Sequence, residues 1–137
     1  MRGQVALPFI LLISGIIIEI TIAGSFITYF LSTSGLGERL SLRASTAAQS
    51  GLRDAMIRIT RDKDFAASAQ NYNLDVGNDA AAISVSRTVD STLGIYIYTI
   101  TSTGTASSRQ RKLVATIIVN QRNGYIQLQS LIDTPVS

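Results

Sequence analysis

Residues Val5 to Leu31 read VALPFILLISGIIIEITIAGSFITYFL, and this run of 27 residues carries a single charge, Glu19. A helix needs about 20 apolar residues to cross the hydrocarbon core of a bilayer, so the run is long enough to span with some tilt. It exceeds the roughly 7–15 apolar residues of a secretory signal, and no small-x-small cleavage pattern closes it. The expectation is a membrane-spanning helix that stays attached to the protein. Glu19 falls near the middle of the run. A carboxylate there costs on the order of 3 kcal/mol on insertion scales unless a cationic partner or a proton relieves it.

Upstream, Met1-Arg2-Gly3-Gln4 places one basic residue and the amino terminus before the span. That flank predicts an N-terminus held in the cytoplasm, with the remainder exported. Downstream comes Ser32-Thr33-Ser34-Gly35-Leu36-Gly37. Gly35 and Gly37 each weaken a helix by up to about 1 kcal/mol, so they mark a candidate hinge or, alternatively, a plain loop. From there Leu36, Leu40, Ala44, Ala47, Ala48, Gly51, Leu52, Ala55, Met56 and Ile59 recur at three- and four-residue spacing. The arginines lie mostly off this stripe, which predicts an amphipathic helix ending near Arg61-Asp62-Lys63-Asp64. Alanine and glycine dominate the stripe, so whatever packs on it must come close.

Beyond Phe65 the composition turns to Thr, Val, Ile, Tyr, Ser and Asn, which favours strands. Strands are expected at 71–76, 81–87, 93–103, 111–120 and 125–132. The turns between them are expected at 77–79, 90–92, 104–107 and Asn123-Gly124, with Pro135 closing the tail. Asn-Gly is the pair that a type I′ hairpin turn favours. The fold class is therefore α+β: a long N-terminal helix, half transmembrane and half amphipathic, packed on a small antiparallel sheet of four or five strands. Residues 1–3 precede the segments, which are 4–31 as the span, 32–64 as the amphipathic continuation and 65–137 as the head.

Bulk properties narrow the function. The chain has 137 residues, a net charge of +3, no Cys and no His. So mild a basic excess, spread along the chain, does not single out nucleic acid as the main partner. Lacking His and Cys, the chain has neither the commonest general base nor any thiol chemistry. No glycine-rich phosphate loop and no motif-placed carboxylate pair occurs, so an enzyme is not expected, and neither is a cofactor or a metal. The Arg109-Gln110-Arg111-Lys112 cluster could hold DNA phosphate, an anionic glycan of a host surface, or an acid of a neighbouring subunit. The plainer reading is a solvated strand edge, where Lys and Arg discourage edge pairing. Likewise Tyr72, Tyr96, Tyr98 and Tyr125 could stack on sugars or bases, but tyrosines in a small sheet are commonly core. No Asn-x-Ser/Thr acceptor occurs, so any attached sugar would be O-linked.

A basic residue and glycine before a long apolar helix, an amphipathic continuation and a terminal antiparallel sheet together resemble the type IV pilin and pseudopilin family. Arg2-Gly3 followed by Gln4 resembles a prepilin peptidase site cut after the glycine, with a short leader. Ala48-Gln49-Ser50-Gly51-Leu52-Arg53-Asp54-Ala55 resembles the segment after the span in minor pilins of the PilX type. Tyr98-Thr99-Ile100-Thr101-Ser102-Thr103-Gly104 resembles a strand end of the same group. The chain departs from the family at the fifth mature position, where Pro8 stands in place of Glu; Glu19 is the sixteenth mature residue.

The resemblance implies a filament subunit that sits in the inner membrane before assembly and then packs against copies of itself. Its other partners would be prepilin peptidase and the pilus assembly machinery. Glu19 would meet a neighbour's cation, either the new amine on Gln4 or, if the leader is uncut, Arg2. Gln4 and Glu19 are 15 residues apart, which implies an axial offset of about 22 Å between touching subunits. Small residues Ser14, Gly15, Ala23, Gly24 and Ser25 would let the backbones approach.

Overall fold

The computed structural model describes residues 6–136. One helix, α1 (Ala6–Arg61), precedes five strands: β1 (Gln70–Val76), β2 (Asp79–Asp90), β3 (Ile95–Ala106), β4 (Arg109–Asn120) and β5 (Ile126–Pro135). All five form one antiparallel sheet in the order of the chain, so every strand pairs with its sequence neighbour. The architecture is α+β, as the residue pattern predicts. The chain divides into two compact units, residues 1–37 and 38–137.

In the first unit the backbone is helical from Ala6 onward, and the helix is unbroken through Gly35 and Gly37. An apolar helix can enter lipid only if its polar groups are satisfied internally. Here the hydroxyls of Ser14, Thr21, Ser25 and Thr28 donate to the carbonyls of Ile10, Ile17, Thr21 and Gly24, one turn back, at 2.8–2.9 Å.

The second unit places the C-terminal part of α1 against one face of the sheet. Ala44, Ala47, Ala48, Gly51, Leu52, Ala55 and Ile59 are buried, the middle and end of the predicted stripe. Across from them lie Ala81, Ile83 and Val85 of β2, Tyr98 and Ile100 of β3, and Leu113, Ala115, Ile117 and Val119 of β4. Strand alternation puts each of these on the helix side, because side chains two apart share a face. The boundary between the two units follows Gly37. The amphipathic part of α1 belongs with the sheet because its buried face packs against β2, β3 and β4.

Small residues decide how close the layers come. A Cβ on Gly104 would collide with the carbonyl oxygen of Ala44 and the amide nitrogen of Ala48. A Cβ on Gly51 would lie 2.5 Å from Ser102 Oγ and 2.9 Å from Ala81 Cβ. This corrects the expected turn at 104–107. Gly104 lies inside β3, opposite Arg111, and the chain reverses at Ser107 and Ser108 between the paired residues Ala106 and Arg109. The glycine there serves helix contact and not a turn.

Asn123-Gly124 is also corrected. Gly124 has φ +70°, but Asn123 is not in the left-handed region that a type I′ turn needs at both central residues. The reversal is a longer loop built on Asn120. Its carbonyl accepts from Gly124 N at 3.0 Å, and its side-chain oxygen accepts from Arg122 N at 2.9 Å. The ends of β1 at Val76 and of β4 at Asn120 match expectation, and the other strand ends differ by one to three residues. β5 begins after Tyr125 and continues to Pro135, which pairs with Arg111. Its register with β4 shifts between Thr116 and Ile117, leaving Gln129 as a bulged residue.

Candidate functional site

The apolar half of α1 is the first candidate. Every large apolar side chain from Leu7 to Leu31 is exposed, from 42 % at Ile13 to 73 % at Tyr29. The segment is long and apolar enough to cross a membrane. Between residues 6 and 37 the only ionisable carboxylate or cation is Glu19, and it is exposed. On a helix, positions four apart are neighbours. Glu19 is therefore flanked by Gly15 and Ala23, and a Cβ added at Gly15 would meet nothing. That spacing leaves room for another helix to approach the carboxylate closely. Arg2, Gly3 and Gln4, the expected cleavage site and charge partners, lie outside the described residues.

The basic cluster on β4 is not one surface. Alternation places Arg109 and Arg111 on the helix side of the sheet, opposite Ala106 and Gly104, while Lys112 points to the other face beside Thr103 and Thr134. Arg111 is also engaged: its Nη2 donates to Asp133 Oδ2 at 3.1 Å, and its Nε is buried without a partner. Among the described residues neither Arg109 nor Lys112 makes an ion pair.

Three charge contacts that sequence reading missed tie α1 and the segment after it to the sheet. Arg43 holds Asp79 with two bonds, Nη2 to Oδ1 at 2.7 Å and Nε to Oδ2 at 3.0 Å. Asp54 accepts from Arg58 Nε at 2.7 Å and from the Tyr72 hydroxyl at 2.8 Å, and the Arg58 guanidinium lies 4.5 Å from the centre of the Tyr72 ring. Arg87 donates to Asp64 at 2.7 Å and lies 4.2 Å from the centre of the Tyr96 ring. The Tyr98 hydroxyl donates to the Lys63 carbonyl.

Burial, followed by the bond to Asp54, raises the Tyr72 hydroxyl well above its ordinary value, and burial raises that of Tyr98. Both hydroxyls act as neutral donors, so Tyr72, Tyr96 and Tyr98 are packing and tethering residues, whereas Tyr125 is exposed. The only legible trace of these contacts was the placement of Arg43 and Arg58 off the apolar stripe. Among the described residues no cluster of three or more metal-ligating side chains occurs. Comparison with protein-family models, with curated proteins and with solved structures finds no match to this chain.

Proposed function

We propose that the chain is a structural subunit of a type IV pilus-like cell-surface filament, anchored in the membrane by its apolar helix before assembly. The observation that supports this reading is the helix from Ala6 to Leu31, with its large apolar side chains exposed and Glu19 as its lone charge. Such a surface needs lipid or sister helices to cover it. Lipid covers it while the subunit is stored in the inner membrane. In a filament, spans pack on one another, with Gly15 and Ala23 allowing close approach beside Glu19. The carboxylate then meets the amine of a neighbour's Gln4 after cleavage at Gly3, or Arg2 if the leader is retained. Prepilin peptidase and the assembly machinery are the partners this route requires.

A second reading is a minor pilin or anchored binding module that grips DNA or a host surface. The cations Arg109 and Lys112, free of ion pairs among the described residues, favour it. Shearing cells and analysing the released fibres by electron microscopy and N-terminal mass spectrometry tests the main reading. Fibres dominated by this chain, starting at Gln4, are expected. A chain found solely as an envelope monomer removes the filament reading. Charge reversal at Arg109 and Lys112 that abolishes adhesion or DNA uptake but leaves the fibres normal selects the second.

A further inference from the structure

The apolar half of α1 carries its polar side chains on two opposite sides. Glu19 is on one, with Gly15 and Ala23 a turn below and above it. Two residues turn a helix by about 200°, so Thr21 faces almost directly away from Glu19, and so does Thr28. Ser14 and Ser25 lie about 120–140° round from Glu19, on the side of Thr21. Along this second side Thr21, Gly24, Ser25, Thr28 and Ser32 line an open groove with the ring of Tyr29.

The two sides are chemically complementary. A hydroxyl has one O–H to give and two lone pairs to accept with. The O–H groups of Ser14, Thr21, Ser25 and Thr28 are spent on carbonyls one turn back. Their oxygens can therefore only accept, and in hydrocarbon the matching donor must come from another helix. Glu19 is the converse: it is exposed, and among the described residues it makes no ion pair. A carboxyl in lipid is relieved by a cation or by a proton. Residues 6–37 contain no Lys or Arg, so a neighbouring span offers no cation at this depth. Gln4 is 15 residues away, about 22 Å along the axis. With a proton, the carboxyl has one O–H to donate. Copies inserted the same way lie at one depth, where Glu19 of one is level with Thr21 of the next to within about 3 Å.

We propose that, before assembly, copies of this chain associate side by side in the membrane, with protonated Glu19 of one span donating to the Thr21 hydroxyl oxygen of the next. All helices then point the same way. Donor and acceptor sit on opposite sides of one helix, so each contact leaves an acid and a groove unused. The association is head-to-tail and grows as an open row, not a closed dimer. The inference rests on reading residues 6–31 as a membrane span and adds what Glu19 meets before any axial offset brings it to a neighbour's amine.

The chain has no cysteine, so introduced thiols report directly. Ala23 and Ser25 lie one turn beyond Glu19 and Thr21 on the same two sides. Both are small, so a packed pair brings their Cβ atoms within disulfide reach. Full-length Ala23→Cys and Ser25→Cys chains, carrying tags of different size, are mixed in phosphatidylcholine vesicles and oxidised. The mixture should give a covalent heterodimer several-fold above either variant alone. A chain carrying both cysteines should give a ladder of trimers and higher species. Thr21→Val, which keeps the shape and removes the acceptor, should lower the cross-link roughly threefold, the effect of one interhelical hydrogen bond in lipid. Glu19→Ala should lower it as far, whereas Glu19→Gln, which keeps an uncharged donor, should retain it. Background cross-linking overturns the proposal. So does Ala23→Cys coupling to itself as well as to Ser25→Cys, which would mean a two-fold pair through the Glu19 side. Indifference to Thr21→Val, or loss in Glu19→Gln, overturns it too. Background cross-linking of a chain still present in sheared fibres would remove this inference alone; ladders from a chain absent from fibres would remove the filament reading alone.

Discussion

Replacing Gly104 by alanine adds one methyl group at the tightest point between α1 and the sheet. The new Cβ would sit against the carbonyl oxygen of Ala44 and the amide nitrogen of Ala48, both backbone atoms of a helix whose other contacts are buried alanines. A flexible side chain could swing aside, but a helix backbone cannot. Relief requires the helix to lift from β3, which loosens Ala44, Ala48 and Gly51 together. Overpacking typically costs 1–3 kcal/mol, and a backbone obstacle puts this case at about 3 kcal/mol. For a unit of this size each kcal/mol lowers the melting temperature by roughly 4–8 °C, so a fall of about 12 °C or more is expected. The assay is near-ultraviolet circular dichroism of the full chain in detergent. Tyr72, Tyr96 and Tyr98 sit in the second unit and report its packing. Gly15→Ala is the control, because nothing lies near its added Cβ; it should leave the transition in place. A Gly104→Ala protein melting within about 2 °C of the parent would refute the close-approach argument.

Removing the guanidinium in Arg43→Ala breaks the two-bond pair with Asp79, whose side chain is only 11 % exposed. Because Arg43 itself is about half exposed, solvent screening limits the loss to about 1 kcal/mol, readable as a shift in denaturant midpoint. Tyr72 and Tyr98 both have raised hydroxyl pKa values, chiefly from burial. A group held neutral by the fold contributes stability that is fully present below its unfolded value of 10.0 and is lost as pH rises toward its folded value. The unit should therefore weaken above about pH 10, and absorbance titration of Asp54→Asn should show Tyr72 ionising at lower pH than in the parent. Glu19→Ala should leave membrane insertion intact, or improve it by up to about 3 kcal/mol, and should sharply reduce the chain in sheared fibres; an unchanged fibre yield would dismiss a pairing role for Glu19.

The apolar run of α1 was legible from composition, and the amphipathic stripe and the strands because hydrophobic periodicity reports which face is covered. Ala44 to Ile59 on the helix and Ile83, Val85, Ile117 and Val119 on the strands carried that signal plainly. Gly104 was misread because glycine serves two purposes, left-handed turns and close approach, and composition alone does not separate them. Asn123-Gly124 was misread because Asn120, three residues earlier, organises the loop through its own side chain. The basic run at 109–112 was legible as composition but not as a surface, since a strand sends neighbours to opposite faces. The contacts Arg43–Asp79 and Arg87–Asp64 span 36 and 23 residues. Pairings that distant follow from the packed register and leave no local mark in the chain.

The order β1 to β5, each strand beside the one made just before it, has a kinetic consequence. A polypeptide emerging amino-end first never has to hold a strand in waiting for a partner still to come. Helix first, then one hairpin after another, the sheet can grow at the pace of emergence, closing short loops whose entropic cost is small. Of the five strands β5 arrives last, so the two edges of the sheet, β1 and β5, are also the first and the last of its strands to be made.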